Sequence, residues 1–404
     1  MPVLSLPRLL FTLVSLAILG LGIYFLTRWF RGYDLRDVNG IWHHVRGPTW
    51  WLYAAGGLLG WSFLGRSVVL ACIPGSADDP ALSRAAAQMV VAPDGSKLNV
   101  EISGRADGPT LILTHGWGLN ATAWSWAKRD LGRQFRIVTW DLPGLGRSEK
   151  FSDGKYSIDK LAAALATVIQ ETTDRPAILV GHSIGGMTAQ TLFRASPDVA
   201  KSLVAGVVLL NTTYQNPLNT MFLSKVWIAL QKPLLEPLCW VSVLISPLAW
   251  LSAWHSYLSG SSHIAMRFTG FGRYATRKQV DATALMSAKG SPAVQAKGNL
   301  AMFHWDAREV LPAIPTPMLV FAGQRDIVTL PIAGEVIASA APRAELALIE
   351  GVGHMGFMER AAIYNSRIAA FAGRVLRTPA YAIPADGLPS DETVRPPEEP
   401  RAVH

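Results

Sequence analysis

The hexapeptide GHSIGG, residues 181–186, sets Ser183 between glycines directly behind the apolar run Ala177-Ile178-Leu179-Val180. An unactivated serine hydroxyl is a poor nucleophile and needs a base that is itself held by an acid. Two later segments carry those residue types. EGVGHMGFMER (350–360) offers His354, and AGQRDIVTL (322–330) offers Asp326. Together they could perform acyl transfer: Ser183 attacks a carbonyl carbon, His354 accepts its proton and Asp326 fixes the imidazole tautomer. His115, His182 and His304 are rival bases and Asp141 is the rival acid. Only His354 combines a glycine-flanked loop with a preceding acid-bearing loop.

These side chains need a scaffold that brings three loops to one place. TLILTH (110–115), RIVTWD (136–141), AILVGH (177–182), AGVVLLN (205–211), PMLVFAG (317–323) and AELALIE (344–350) read as strands covered on both faces. SIDKLAAALATVIQET (157–172) reads as a helix capped by Ser157, and the alternation of strands and helices implies a doubly wound, mostly parallel sheet. Ser183 then falls at a strand-to-helix turn, where Gly181 and Gly185 permit close backbone approach and the new helix points free N–H groups at the serine oxygen. Asp326 and His354 fall just beyond strand carboxyl ends, where sites assemble in open α/β sheets.

The interval 212–308 breaks the rhythm and reads as a helical lid. Its stretch PLCWVSVLISPLAWLSAW (237–254) is uncharged, but Pro247 interrupts it and a single crossing would part strands that belong to one sheet. Short apolar helices over a site can wall an acyl chain, which makes Trp240, Trp250 and Trp254 candidate substrate contacts.

The Ser, Asp, His order resembles that of the α/β-hydrolase superfamily, in its branch of lidded esterases and lipases. The resemblance covers roughly residues 89–376 and also rests on THGWG (114–118) after the third family strand and DLPGLGRS (141–148) after the fourth. It implies an oxyanion hole from the backbone N–H groups of Trp117 and Ile184, a loop-structural role for Asp141, and carboxylic-ester hydrolysis, while the lid and the apolar N-terminal segments point to a lipid-like or otherwise apolar small-molecule substrate. Amide, thioester and carbon-carbon hydrolysis and acyl transfer belong to the same fold. Related epoxide hydrolases and dehalogenases carry aspartate at the elbow, where this chain has serine. A non-catalytic membrane scaffold is the competing class, and the complete triad argues against it. No metal or organic cofactor is expected.

The 404 residues suffice for one catalytic domain with appendages. Cys72 and Cys239 are too few and too distant for a disulfide framework or metal site. The net charge of +8 gathers in residues 212–300, with eight basic side chains against two acidic ones. Because this excess lies among tryptophans and leucines, it suits a lipid surface rather than nucleic acid. Leu9–Leu26 is uncharged and long enough to cross a bilayer, and 47–65 is a second such stretch with tryptophans at its start. The expected organisation is a membrane anchor over 1–75 with spans near 9–26 and 47–65, and a linker over 76–88. The hydrolase core follows over 89–211 and 309–376, with the lid at 212–308 and a disordered tail at 377–404. If both stretches cross, Arg28, Arg31, Arg36 and Arg46 hold their connection in the cytoplasm and the catalytic domain lies on the other side. With one span the side reverses.

Overall fold

The computed structural model describes residues 5–376, so the expected tail at 377–404 lies outside the described residues. Two apolar helices come first, α1 (Ser5–Arg31) and α2 (Thr49–Ala71), packed together and joined by an antiparallel pair of short strands, β1 (Tyr33–Arg36) and β2 (Trp42–Val45). At about 1.5 Å per residue both helices exceed the roughly 30 Å of a hydrocarbon layer. Both are long and apolar enough to cross a membrane by length and composition. The β1–β2 end carries stacked cation and ring pairs, Arg28 over Trp51 at 5.5 Å and Arg46 over Trp29 at 5.1 Å. The short β-ladder itself has no counterpart in the sequence reading, because four-residue strands leave too little periodicity to see.

The central sheet has eight strands: β3 (Ala87–Val91), β4 (Lys97–Gly104), β5 (Thr110–Thr114), β6 (Arg136–Trp140), β7 (Ala177–His182), β8 (Val204–Leu210), β9 (Met318–Gly323) and β10 (Ala344–Ile349). Their spatial order is β10-β9-β8-β7-β5-β6-β4-β3. The β3–β4 and β4–β6 pairings are antiparallel and the remaining five are parallel. Successive residues of each apolar run part to opposite faces. Ile112, Val138, Leu179 and Val320 enter one core, while Leu111, Ile137, Ile178 and Leu319 enter the other. Helices on both faces explain why these strands lack polar alternation.

The segment between β8 and β9 is helical, with Ser224–Leu244 bent by 99° against Ser246–Leu258, followed by Ser261–Thr269, Arg277–Lys289 and Pro292–Phe303. The bend falls at Ile245, and Pro247 stands in the first turn of the next helix, where its missing N–H costs nothing. This insert is bonded to the apolar hairpin. Ser15 Oγ donates to Ser259 Oγ at 2.8 Å and lies 3.0 Å from His255 Nδ1. Arg66 on α2 grips Asp281 with two bonds of 2.9 and 2.7 Å, and Asp281 also receives Tyr257 Oη at 3.0 Å and lies 2.9 Å from His263 Nε2. Burial works against the Asp281 charge, but these neighbours outweigh it and hold the carboxyl well below the ordinary range. The approach is closest at Gly65, where an added Cβ would lie 2.4 Å from the Ser259 carbonyl oxygen.

Gly65→Val is therefore expected to wedge the insert away from α2. Limited proteolysis within residues 222–260 should accelerate several-fold over wild type, and an unchanged digestion rate would count against the close packing of these two elements.

Candidate active site

Ser183 follows β7 with φ 56° and ψ −119°, and the helix Ile184–Ala195 starts at the next residue. A left-handed backbone at a non-glycine residue costs about 1–3 kcal/mol and persists only where its surroundings impose it. Here the surroundings are specific. Ser183 N donates to Leu210 O at 3.0 Å, and Thr212 Oγ1 donates to Ser183 O at 2.6 Å. The bend also needs bare backbone on both sides, since a Cβ at Gly181 would sit 2.5 Å from Gly185 O and one at Gly185 2.3 Å from Thr114 O. The GHSIGG spacing is thus a steric requirement of the turn.

His354 and Asp326 meet as their loops suggested, with His354 Nδ1 2.8 Å from Asp326 Oδ2. Asp326 accepts further bonds from Val328 N (2.8 Å), Thr329 N (2.9 Å), Thr329 Oγ1 (2.7 Å) and Asn211 Nδ2 (3.1 Å). Complete burial alone would raise its pKa, yet the imidazole and these donors hold the carboxyl below its ordinary value. An ionised Asp326 is an acceptor only, so Nδ1 carries the proton of neutral His354 and Nε2 is left with a lone pair. Nε2 is buried and has no hydrogen-bond partner among the described residues.

The rival groups have other partners. Asp141 accepts from Ala121 N (2.7 Å), Arg84 Nη1 (2.9 Å), Asn99 Nδ2 (3.1 Å) and Arg147 N (2.9 Å), which ties its loop to β4 and to the segment before it. His115 donates from Nδ1 to Gly116 O (2.8 Å) and accepts from Leu142 N (3.0 Å). His182 donates from Nε2 to His354 O at 3.0 Å, and burial pushes its pKa well down, so it braces the His354 loop as a neutral ring. His304 is exposed on the insert beside Glu236, at 3.7 Å.

Ser183, His182 and His354 line one cavity with Trp117, Gly118, Leu119, Met266, Gly270, Ser287, Gln295 and Met355. Its volume of about 30 Å³ is room for about one water, so the insert as placed leaves little space beside Ser183. The larger grooves, of 1550 and 1000 Å³, contain none of these three residues and include Arg105 and Arg343 or Arg308 and Glu309 on their walls. Trp117 lies in the cavity wall with its indole donating to Gln295 O at 2.9 Å, and Ile184, wholly buried, opens the elbow helix. The insert packs so closely that a Cβ at Gly298 would lie 1.9 Å from the Trp117 ring.

Trp240, Trp250 and Trp254 are not brought to this cavity, contrary to their expected role as substrate contacts. Trp240 is exposed and borders a separate groove with Tyr156 and Lys297. Trp250 is half exposed and donates to Ala288 O at 3.1 Å, and Trp254 packs on Tyr257. Trp240 lies on the helix before the bend at Ile245, Trp250 and Trp254 on the helix after it, and none of the three lines the cavity. The cavity instead takes Met266, Ser287 and Gln295 from the insert, which no motif marks. Asn211 and Thr329, which steady Asp326, were also unread. The Asp-Ile-Val-Thr spacing is the one local signal for Thr329, since an aspartate commonly accepts bonds from residues two and three places on. Glu359 is a further unread group: it receives Gly272 N (2.9 Å), Tyr274 N (3.1 Å) and Gly353 N (2.8 Å), joining the insert to the His354 loop, and burial pushes its pKa up. Among the described residues no cluster suits a metal ion.

A model of the alpha/beta hydrolase family matches residues 111–367. The chain belongs to this family. It is 28% identical over 298 residues to polyketide synthase ThaQ of Burkholderia thailandensis, an alignment covering 72% of this chain and 13% of that one. It is 33% identical over 107 residues to the pimeloyl-[acyl-carrier protein] methyl ester esterase of Aeromonas hydrophila, covering 26% of this chain and 41% of the relative. The chain thus spans less than half the length of these curated relatives. Among solved structures, esterase RhEst1 of a Rhodococcus species superposes with a TM-score of 0.58 at 21% identity, over 72% of this chain and 99% of that one. An esterase of Exiguobacterium antarcticum gives 0.57 at 19% identity, over 71% and 99%. At these identities the two structures share the fold.

Because the folded Asp326 carboxyl ionises below its ordinary value of 3.8, its stabilising contribution is complete above that value and is lost as pH falls through the lower, folded one. The stability gap between wild type and Asp326→Asn should accordingly be flat above about pH 5 and shrink toward acid. Urea midpoints measured across pH check this, and a gap that widens on acidification would contradict it.

Proposed function

We propose that this protein is a membrane-anchored serine hydrolase that cleaves carboxylic esters through an acyl-enzyme on Ser183. The observation that carries the reading is the placement of His354: Asp326 holds Nδ1, while Nε2 lies buried in the wall shared with Ser183, without a partner among the described residues. In this mechanism Nε2 takes the Ser183 proton as Oγ attacks the ester carbonyl, and the imidazolium returns it to the leaving alkoxide. Water then repeats the cycle on the acyl-enzyme. The N–H groups of Trp117 and Ile184 would hold the oxyanion, each worth on the order of 3 kcal/mol. Ester cleavage is favoured over the other reactions of the fold by the esterase names of the Aeromonas relative and the two structural neighbours. Leu119, Met266 and Met355 in the cavity wall favour an apolar acyl group, and two flexible thioether side chains could yield to one.

The anchor would be α1 and α2 crossing as a pair. Arg28, Arg31, Arg36 and Arg46 cluster about their connection, and this basic excess supports a cytoplasmic side for that end, with the catalytic domain on the opposite side.

Ser183→Ala should abolish fluorophosphonate labelling and lower kcat/KM on a chromogenic ester by at least about 10⁴-fold while the fold persists. Asp326→Asn should cost about 10⁴-fold through the wrong tautomer of His354. A greater catalytic loss in a folded Asp141→Asn variant would transfer the acid role to Asp141. For the anchor, the protein should remain with membranes through high salt and alkaline carbonate. Release into the supernatant would refute the spans.

A further inference from the structure

The insert carries a surface that the proposed hydrolysis leaves unused. Around the 99° bend, Leu244 is 83% exposed, Leu248 65%, Leu251 67% and Trp240 59%. Residues 237–254 contain no charged side chain, while Lys225 and Lys232 are exposed just before them. Soluble surfaces seldom gather so many large apolar groups without a partner.

We propose that this bent helix pair, Ser224–Leu244 with Ser246–Leu258, is a second membrane contact that buries its outer face in the hydrocarbon layer beside α1 and α2. The proposal rests on the reading that α1 and α2 span the bilayer. Three features favour lipid as the occupant. First, the bend keeps two of its amides paired, with Ile245 N donating to Val241 O and Ala249 N to Ile245 O, both at 2.9 Å, which lowers the cost of immersing it at these two positions. The indole N–H groups of Trp227 and Trp250 are likewise spent on Phe222 O and Ala288 O within the protein. Second, the pair is fastened to the hairpin through Ser15 with His255 and Ser259. Ser15 lies five residues inside the apolar stretch Leu10–Arg31, about 7 Å along the helix, so this fastening is already below the surface of a layer that α1 crosses. Third, Lys225 and Lys232 flank the apolar stretch where anionic headgroups would meet it. The next helix, Ser261–Thr269, packs on both α1 and α2 and puts Met266 in the Ser183 cavity, so this wall of the cavity adjoins the lipid contact.

The test uses the full chain reconstituted in phosphatidylcholine–phosphatidylglycerol vesicles containing a lipid-borne quencher. The background is Cys72→Ser, Cys239 being buried. A fluorophore is attached in turn at Leu244→Cys, at Leu21→Cys on α1, and at Asp107→Cys on the exposed far side of the sheet. The expected result is quenching at Leu244 and Leu21 at least fivefold stronger than at Asp107. Quenching at Leu21 with Leu244 matching Asp107 would overturn the insert contact and leave the anchor standing. No quenching at either would overturn both readings. Protection of Leu244 from lipid and aqueous quenchers alike, in a protein that sediments as a dimer, would assign the face to a second copy and overturn the proposal. As an independent arm, the double variant Leu244→Asp/Leu251→Asp should hydrolyse a short soluble ester at the wild-type rate and lose at least tenfold on a long-chain ester dispersed in the vesicles. Equal rates on both substrates would also overturn it.

Discussion

A serine held at φ 56° is the constraint on which the rest of the site depends. The conformation is unfavourable for any side chain, so the fold must impose it. Parallel pairing of β7 with β5 and β8 does so, because Ser183 N is drawn to Leu210 O at the end of β8 and glycines stand wherever neighbouring backbone closes in. The same pairing puts the ends of β9 and β10 alongside, and from those ends come Asp326 and His354. One topological fact, adjacent parallel strands ending at one edge, thus gathers Ser183, Asp326 and His354 from segments up to 171 positions apart in the chain.

Around this centre the polar groups are divided between chemistry and bracing. Asp326 spends both oxygens on named donors and Asp141 does the same in another loop, yet only Asp326 faces an imidazole whose remaining nitrogen is open. His182 holds the His354 backbone, His115 holds the loop of Trp117, and Glu359 joins the insert to the His354 loop. Among the described residues His354 Nε2 and His182 Nδ1 are the ring nitrogens of this pair left without a partner, and the bonds the other groups make rigidify the loops around them.

The insert closes the cavity and is itself held from outside. Asp281, on a helix that also carries Ser287 of the cavity wall, is gripped by Arg66 of α2. The cavity wall and the apolar hairpin are thus linked by one helix and one ion pair.

The parallel strands, the glycine-flanked turn at Ser183 and the loops that bring Asp326 and His354 together were legible in the sequence, because each leaves a local pattern: a run of β-branched and apolar residues, glycines at fixed spacing, an aspartate or histidine directly behind a strand. The antiparallel strands β3 and β4 escaped, since β3 is exposed at four of its five positions and β4 buries the polar Asn99 and Glu101 among its apolar residues, and the tryptophans of 240–254 were assigned to the substrate because apolar content says nothing of direction. Which face of a short helix meets the site depends on the bend at Ile245 and on contacts with residues 15, 65 and 66, more than 170 positions away. Local composition determined the elements and the chemistry they could carry. Long-range packing alone decided which insert residues reach Ser183, which donors hold Asp326, and that the apolar hairpin and the insert are one packed unit.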